Sequence, residues 1–388
     1  MQHHPATPAD RAPAPWLWFG MASCVILAAA IFKGSVGLDP DVPPKLRVFG
    51  SFWASGWTAS HGLNPFALYK LSPETIVPGL FDINLSPPAL LPVFALLSRL
   101  DPTVAARVWI VAQAVLFVLA TGILLATARM AVRPWQAFWM LLTPQVYDGI
   151  QLGQDYAVLY LIAVLGWVAL RAGRPLAAGL LIGLLVAAKP NFVLCPLFLL
   201  LVGERRPALI AVLCAVALWL LPAALYGPAV YSEWLAAIAA DRHWILTTDA
   251  SLHGVAARLG VPLLGTVLAA ALVGAGGTLV LWRRPAKLAA SGLALAIGIV
   301  ASPLAWADYL VFLLPAFVER QWGKPGYLAV ALLTVPPGIP LLAMHHGLAI
   351  ATLGGLIYTV AFLLIIGGMV ALIWKQEGQG SALDPLGP

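Results

Sequence analysis

The sequence predicts an all-α fold, a polytopic bundle of about twelve membrane-spanning helices. Three observations lead there. The 388-residue chain is 61% hydrophobic and 10% charged, with a mean hydropathy of +0.91. A soluble domain carries about 25% charged residues, and water does not solvate a surface built from so few. Apolar runs recur along the whole length, divided by short charged punctuation. The basic residues cluster in alternate loops, the pattern of the positive-inside rule. This excludes a soluble enzyme, and the net charge of +6 needs no nucleic acid to explain it.

Residues 1–15, MQHHPATPADRAPAP, are polar and rich in Pro and Ala, and read as a disordered cytoplasmic tail. The transmembrane domain covers 16–375. Its first apolar run, Trp16 to Phe32, has no small-residue cleavage site and reads as a span rather than a signal peptide. Residues 34–85 form a long first extracytoplasmic loop, followed by spans near 86–99 and 103–128. Beyond these, the clusters Arg171/Arg174, Arg205/Arg206, Arg283/Arg284/Lys287, Arg320/Lys324 and Lys375 are expected on the cytoplasmic side. The loops 151–156, 189–191, 227–258, 302–308 and 345–346 then fall outside, with 227–258 the second large extracytoplasmic loop. Arg129 and Arg133 break the alternation. Either 134–150 is a re-entrant outside piece, or one of the segments near 86–99 and 103–128 does not cross; the first reading is preferred, because it gives twelve spans with both ends cytoplasmic, the tail 376–388 included. Pro175–Ala188 is short for a span of about 20 residues and is expected to be shielded by its neighbours.

Motif chemistry is sparse. Cys24, Cys195 and Cys214 lie in apolar runs with no metal-ligand spacing and read as small buried side chains. There is no Walker loop, HExxH, GxSxG or dinucleotide fingerprint. The VGAGG run at 273–277 reads as helix packing, and most tryptophans as an interfacial belt.

What remains is a set of polar residues on the face expected outside. An ionisable group in a span costs about 2.5–3.5 kcal/mol on insertion scales, so it needs a reason. The set holds Asp39, Asp41 and Asp82 in the first loop, then Gln154, Asp155 and Lys189. Asp241, Arg242, His243, Asp249 and His253 follow in the second large loop, and Asp308 after it. Carboxylates, cations and histidines at one interface suggest a site for a phosphorylated, lipid-borne substrate. Each also has a structural alternative. Asp155 could cap the helix after it, Lys189 could snorkel to headgroups, and Asp308 could bond between helices. Asp39 and Asp41 in GLDPDVPP could form turns, and Asp82 could mark where the chain enters the membrane.

In order and spacing, several stretches resemble glycosyltransferase family 87 of the GT-C superfamily. They are FWASGWTASHGLNPF (52–66), NLSPPALLPVFALL (84–97), GQDYAVLYLIAVLG (153–166), AAGLLIGLLVAAKPNFVLCPLFLL (177–200), DASLHGVAARLG (249–260) and SPLAWADYLVFLLP (302–315). The resemblance spans about 35–320. It implies a GT-C-type bundle in a bacterial inner membrane, with its site on the extracytoplasmic face. It further implies transfer of a sugar, a hexose such as mannose, from a polyprenyl-phosphate donor to a lipid-linked or envelope glycan acceptor. Inversion would use a loop-one carboxylate as general base, and the resemblance implies no metal and no cofactor. The chain departs from the family pattern in three places. KLRVFGSFW (45–53) has no carboxylate where the loop-one aspartate is usual, Asp155 stands for the common asparagine, and Ala307-Asp308-Tyr309 replaces an Asp-His-His-like run.

The catalytic candidates are therefore Asp82, then Asp39 and Asp41, with Gln154, Asp155, Lys189, Arg242, His253 and Asp308 as donor-binding candidates. Two other classes compete: a transporter or flippase for a lipid-linked saccharide, and a non-catalytic lipid-binding relative. A transporter predicts an internal repeat with broken helices in matching halves, and the sequence shows no such duplication.

Overall fold

The computed structural model describes residues 47–67, 83–128, 134–241, 246–318, 323–343 and 348–380. Asp39, Asp41, Asp82, Arg242, the Trp16–Phe32 run and residues 1–15 lie outside the described residues. The described chain is helical, with one isolated antiparallel bridge between Asp249 and Trp306.

The first helices are α1 (Arg47–Ser60), α2 (Leu91–Leu97) and α3 (Pro102–Thr127). Asp101 starts α3: its Oδ1 accepts from the amides of Thr103 (2.9 Å) and Val104 (3.2 Å), and Pro102 follows at the first helical position. Next come α4 (Pro134–Leu142) and α5 (Pro144–Leu152), separated at Thr143 because Pro144 cannot continue a helix. Each has nine residues, about 13 Å of rise, too short to cross a hydrocarbon core of about 30 Å alone. Then follow α6 (Tyr156–Arg171), α7 (Pro175–Ala188), α8 (Leu194–Leu201), α9 (Arg205–Tyr226), α10 (Ala229–Ala240), α11 (Leu252–Arg258) and α12 (Pro262–Arg283). The series closes with α13 (Lys287–Ala301), α14 (Leu314–Val318), α15 (Lys324–Leu333), α16 (Gly338–Ala343) and α17 (Leu348–Gly380). Among the described residues, four helices are long and apolar enough to cross a membrane: α3, α9, α12 and the Thr352–Lys375 part of α17. Eight shorter apolar helical stretches accompany them.

Helix α13 is the buried centre. Ala290, Leu293, Ala294, Ala296, Ile297, Ile299 and Val300 are all nearly inaccessible. By contrast α9 and α12 expose Leu213, Leu220, Leu263 and Val267. Apolar side chains turned outward on such helices face lipid, where nothing is gained by hiding them from the surroundings. The short helix α7 packs on α6 and α9 along one face, while Leu176, Leu180 and Leu184 on the other stay exposed. Gly179 and Gly183 let α9 approach: a Cβ at either would lie 2.6 Å from the Cβ of Ile210 or Cys214. The VGAGG run behaves as packing only at Gly276, which meets Ile297 and Phe198, whereas Gly274 and Gly277 face open space.

Part of the expected first loop is a helix docked on the bundle. In α1, Phe49 and Phe52 are buried, and Phe52 stacks on Phe94 of α2 at 4.5 Å. Two of the tryptophans are tied down by hydrogen bonds: Trp53 Nε1 donates to the Leu100 carbonyl (3.1 Å) and Trp234 Nε1 to the Leu85 carbonyl (3.0 Å).

Candidate active site

Three of the singled-out stretches meet at one end of α6 and α7. Helix α5 ends at Gly153, whose φ of 75° is open to glycine at little cost. Its amide and that of Gln154 bond back to Ile150 and Gly149, and Asp155 then opens α6. Helix α7 ends at Ala188 because Pro190 disfavours helical backbone at Lys189, which is extended at φ −138°. That break lets the lysine side chain turn inward. Lys189 Nζ lies 3.4 Å from Asp155 Oδ1, with both side chains buried. The ammonium also sits over the rings of Tyr156 and Tyr309, 5.2 and 5.8 Å from their centroids. The two tyrosines meet edge to face at 5.4 Å, on a floor of Phe192 and Phe312. A buried cation held by one carboxylate and two π-faces is neutralised without water.

Asp155 stands at the N-cap of α6, but its side chain makes no capping bond. The amide of Ala157 donates instead to Gln113 Oε1 of α3 at 2.9 Å, while Trp109 Nε1 holds the Gly153 carbonyl at 2.9 Å. Helix α3 thus does the capping, and the Asp155 carboxylate is released to face Lys189.

The third stretch is positioned by a backbone stitch. The Ala250 amide donates to the Ala305 carbonyl (2.6 Å) and the Ala307 amide to the Thr248 carbonyl (3.0 Å). Asp249 Oδ1 accepts from Ser251 (2.9 Å) and Ala305 (3.2 Å), and Arg258 donates to the carbonyls of Leu246 and Asp249. Thr359 Oγ1 of α17 donates to the Ala250 carbonyl at 2.9 Å. Asp308 and Tyr309 follow at the start of a 3₁₀ segment, Ala307–Leu313. Asp308 is buried, and among the described residues its Oδ1 has no hydrogen-bond partner.

Asp148 of α5 was not singled out by sequence. Helix α5 packs on the 3₁₀ segment, and the charge of Asp148 reaches Asp308 and Tyr358. Burial pushes the Asp148 carboxyl up to about 6. Tyr156 and Tyr309 were also missed as site residues, although both lie in quoted stretches beside a charged candidate. Gln154 and His253 are half-buried, and among the described residues neither side chain hydrogen-bonds to the Asp155–Lys189 pair. Among the described residues no group of three His, Cys, Asp or Glu side chains could hold a metal ion.

The model of glycosyltransferase family 87 matches residues 84–307. The chain belongs to glycosyltransferase family 87. Among curated proteins no relative matches. A solved structure, ArnT from Cupriavidus metallidurans bound to undecaprenyl phosphate, is similar at 14% identity and a TM-score of 0.39. The similarity covers 92% of this chain and 78% of that one. In this family 87 chain the matched region takes in Asp155 and Lys189, opens two residues after Asp82 and stops one residue before Asp308.

Proposed function

We propose that the chain transfers a sugar, a hexose such as mannose, from a polyprenyl-phosphate donor to a lipid-linked or glycan acceptor at the extracytoplasmic face. The acceptor oxygen attacks the anomeric carbon from the face opposite the phosphate, so configuration inverts. Its proton passes to a loop carboxylate, and the carbon–oxygen bond to phosphate breaks with its electron pair leaving on the lipid phosphate. A positioned carboxylate contributes roughly 10²–10⁴-fold to such a step. Asp82 is the proposed base, with Asp39 and Asp41 behind it. Lys189 is the proposed cation for the leaving phosphate, where a charge-assisted contact would stabilise developing charge.

The observation that carries this reading is the convergence of the 153–166, 177–200 and 302–315 stretches on the Asp155–Lys189 pair and its tyrosines. The segment after Asp82 adds support. Its Leu85 carbonyl holds Trp234, which meets Trp219 at 5.6 Å, and Trp219 Nε1 bonds the Ala187 carbonyl two residues before Lys189.

The experiment is sugar transfer from a polyprenyl-phosphate hexose by purified protein, with donor binding measured alongside. Asp82→Asn should lose on the order of 10²-fold or more in transfer and keep donor binding. Full transfer by Asp82→Asn, with loss in Asp39→Asn or Asp41→Asn, would move the base into the GLDPDVPP turn. Lys189→Met leaves Asp155 an unpaired buried charge, a change that costs about 3–5 kcal/mol in such pairs. The double change Asp155→Asn/Lys189→Met removes that penalty, so it should regain stability without regaining donor affinity. Wild-type affinity in the double variant would make Lys189 a structural anchor only.

A further inference from the structure

A second charged feature lies at the far end of the same helices, away from Asp155 and Lys189. A cavity of about 380 Å³ opens where the α6–α7 turn, the α8–α9 turn and the start of α13 come together. Four cationic side chains line it, Arg174, Arg205, Arg206 and Lys287, against one carboxylate, Glu204. Glu204 is engaged by Lys287 at 3.4 Å. Among the described residues no ion pair or side-chain hydrogen bond engages Arg174, Arg205 or Arg206. Helices α7, α9 and α13 all begin here, and none of the three has a side-chain cap. Three positive helix ends thus add to the cationic side chains. The positive-inside rule accounts for basic residues at this end of the bundle. It does not require them to line one concavity drawn from three separate parts of the chain.

We propose that this cavity binds a phosphate-bearing anion, the headgroup of an acidic phospholipid in the leaflet opposite the candidate active site. Guanidinium groups suit a phosphate because their planar donors can engage two of its oxygens at once. The volume falls at the lower end of the roughly 300–1,000 Å³ typical of small-ligand sites, which suits a headgroup and not a glycan. The surroundings favour a lipid over a free ion. The first well-exposed side chain beyond the cavity is Leu176 on α7 and Leu209 on α9, with Leu180 and Leu213 one turn deeper. A headgroup held by the arginines would therefore have apolar side chains along which to lay its acyl chains. Helix α7 has fourteen residues, so the cavity stands about 21 Å from Lys189. It is a separate site and does not depend on the proposed transfer reaction.

The test compares lipid retention by the full-length protein and two charge-matched variants. Arg174→Gln/Arg205→Gln/Arg206→Gln removes three cations from the cavity. Arg284→Gln/Lys324→Gln/Lys375→Gln removes three from the same end of the bundle outside it. Each is placed in nanodiscs of phosphatidylcholine doped with phosphatidylglycerol, and bound phosphatidylglycerol is counted by native mass spectrometry after detergent extraction. The cavity variant should lose tenfold or more in retained phosphatidylglycerol, and the control variant should keep it. Equal losses in both would reduce the effect to bulk attraction and overturn the proposal, as would retention in both. Inorganic phosphate and glycerol 3-phosphate form the second arm. Competition by either at millimolar concentration would keep the phosphate site and identify its source as a free anion. Unchanged melting temperature in pure phosphatidylcholine checks folding. Should the triple variant fail that check, Arg206→Gln alone takes its place, with a smaller loss expected and Arg284→Gln as its control.

Discussion

Asp155 occupies the position of an acidic N-cap, and its neighbours in sequence give no sign that it does anything else. The residue that frees it, Gln113, lies 44 positions upstream of the amide it accepts from. Asp148 is a similar case, because its burial comes from α5 packing on a segment about 160 positions downstream. Folding lifts the Asp148 carboxyl from its ordinary value of 3.8 to about 6, so the native state favours its protonated form. On this account stability is greatest below about pH 4, declines as pH climbs towards 6, and then levels off. Asp148→Asn cannot titrate and should escape that decline. Its melting temperature in detergent should exceed the parent's by more at pH 7 than at pH 4.5. An equal offset at both pH values would assign the titration to another group.

At the scale of elements, proline and glycine made most boundaries legible. Pro102 starts α3, Pro144 divides α4 from α5, and Pro190 ends α7 and so aims Lys189 inward. Residues 134–150, expected from sequence to be re-entrant, form two short helices divided at Thr143. Helix α1 was not legible, because its apolar face is interrupted and its partner, α2, lies beyond an intervening stretch of 30 residues. Close approach of helices was legible only as composition: the VGAGG run advertises packing, but the tight contacts fall at Gly276 alone within it and at the Gly179/Gly183 pair, which the sequence reading passed over. This gives a sharp contrast between two alanine substitutions. A methyl at Gly183 would lie 2.7 Å from the Ala211 carbonyl oxygen as well as against Cys214. Gly183→Ala should therefore destabilise by about 1–3 kcal/mol, the usual cost of overpacking. Gly122 of α3 has open space where its Cβ would go, so Gly122→Ala should be neutral or stabilising by up to about 1 kcal/mol. Thermal unfolding of the two variants in the same detergent checks both, and equal effects would refute the helix contact.

For the whole molecule, the expected orientation places 34–85 outside and both ends inside, which puts the arginine-lined cavity and the Lys189 cluster on opposite sides of the membrane. Single cysteines at Ser60 and Gln379, in a chain with Cys24, Cys195 and Cys214 replaced, should react with a membrane-impermeant maleimide from opposite sides. Labelling from the same side would invert one half of that arrangement. The stitch between residues 248–250 and 305–307 has a consequence for biogenesis. A ribosome delivers this chain from the N-terminus, so Asp155 and Lys189 are both available early, when α6 and α7 have emerged. The segment carrying Asp308 and Tyr309 joins them only after α12 and α13 have followed, and its last tie, Thr359 to Ala250, waits for α17. Contacts so distant in sequence form late. A nascent chain arrested before Thr359 would therefore carry a charged pair still open on one side, for membrane chaperones or quality-control proteases to find before the enzyme is complete.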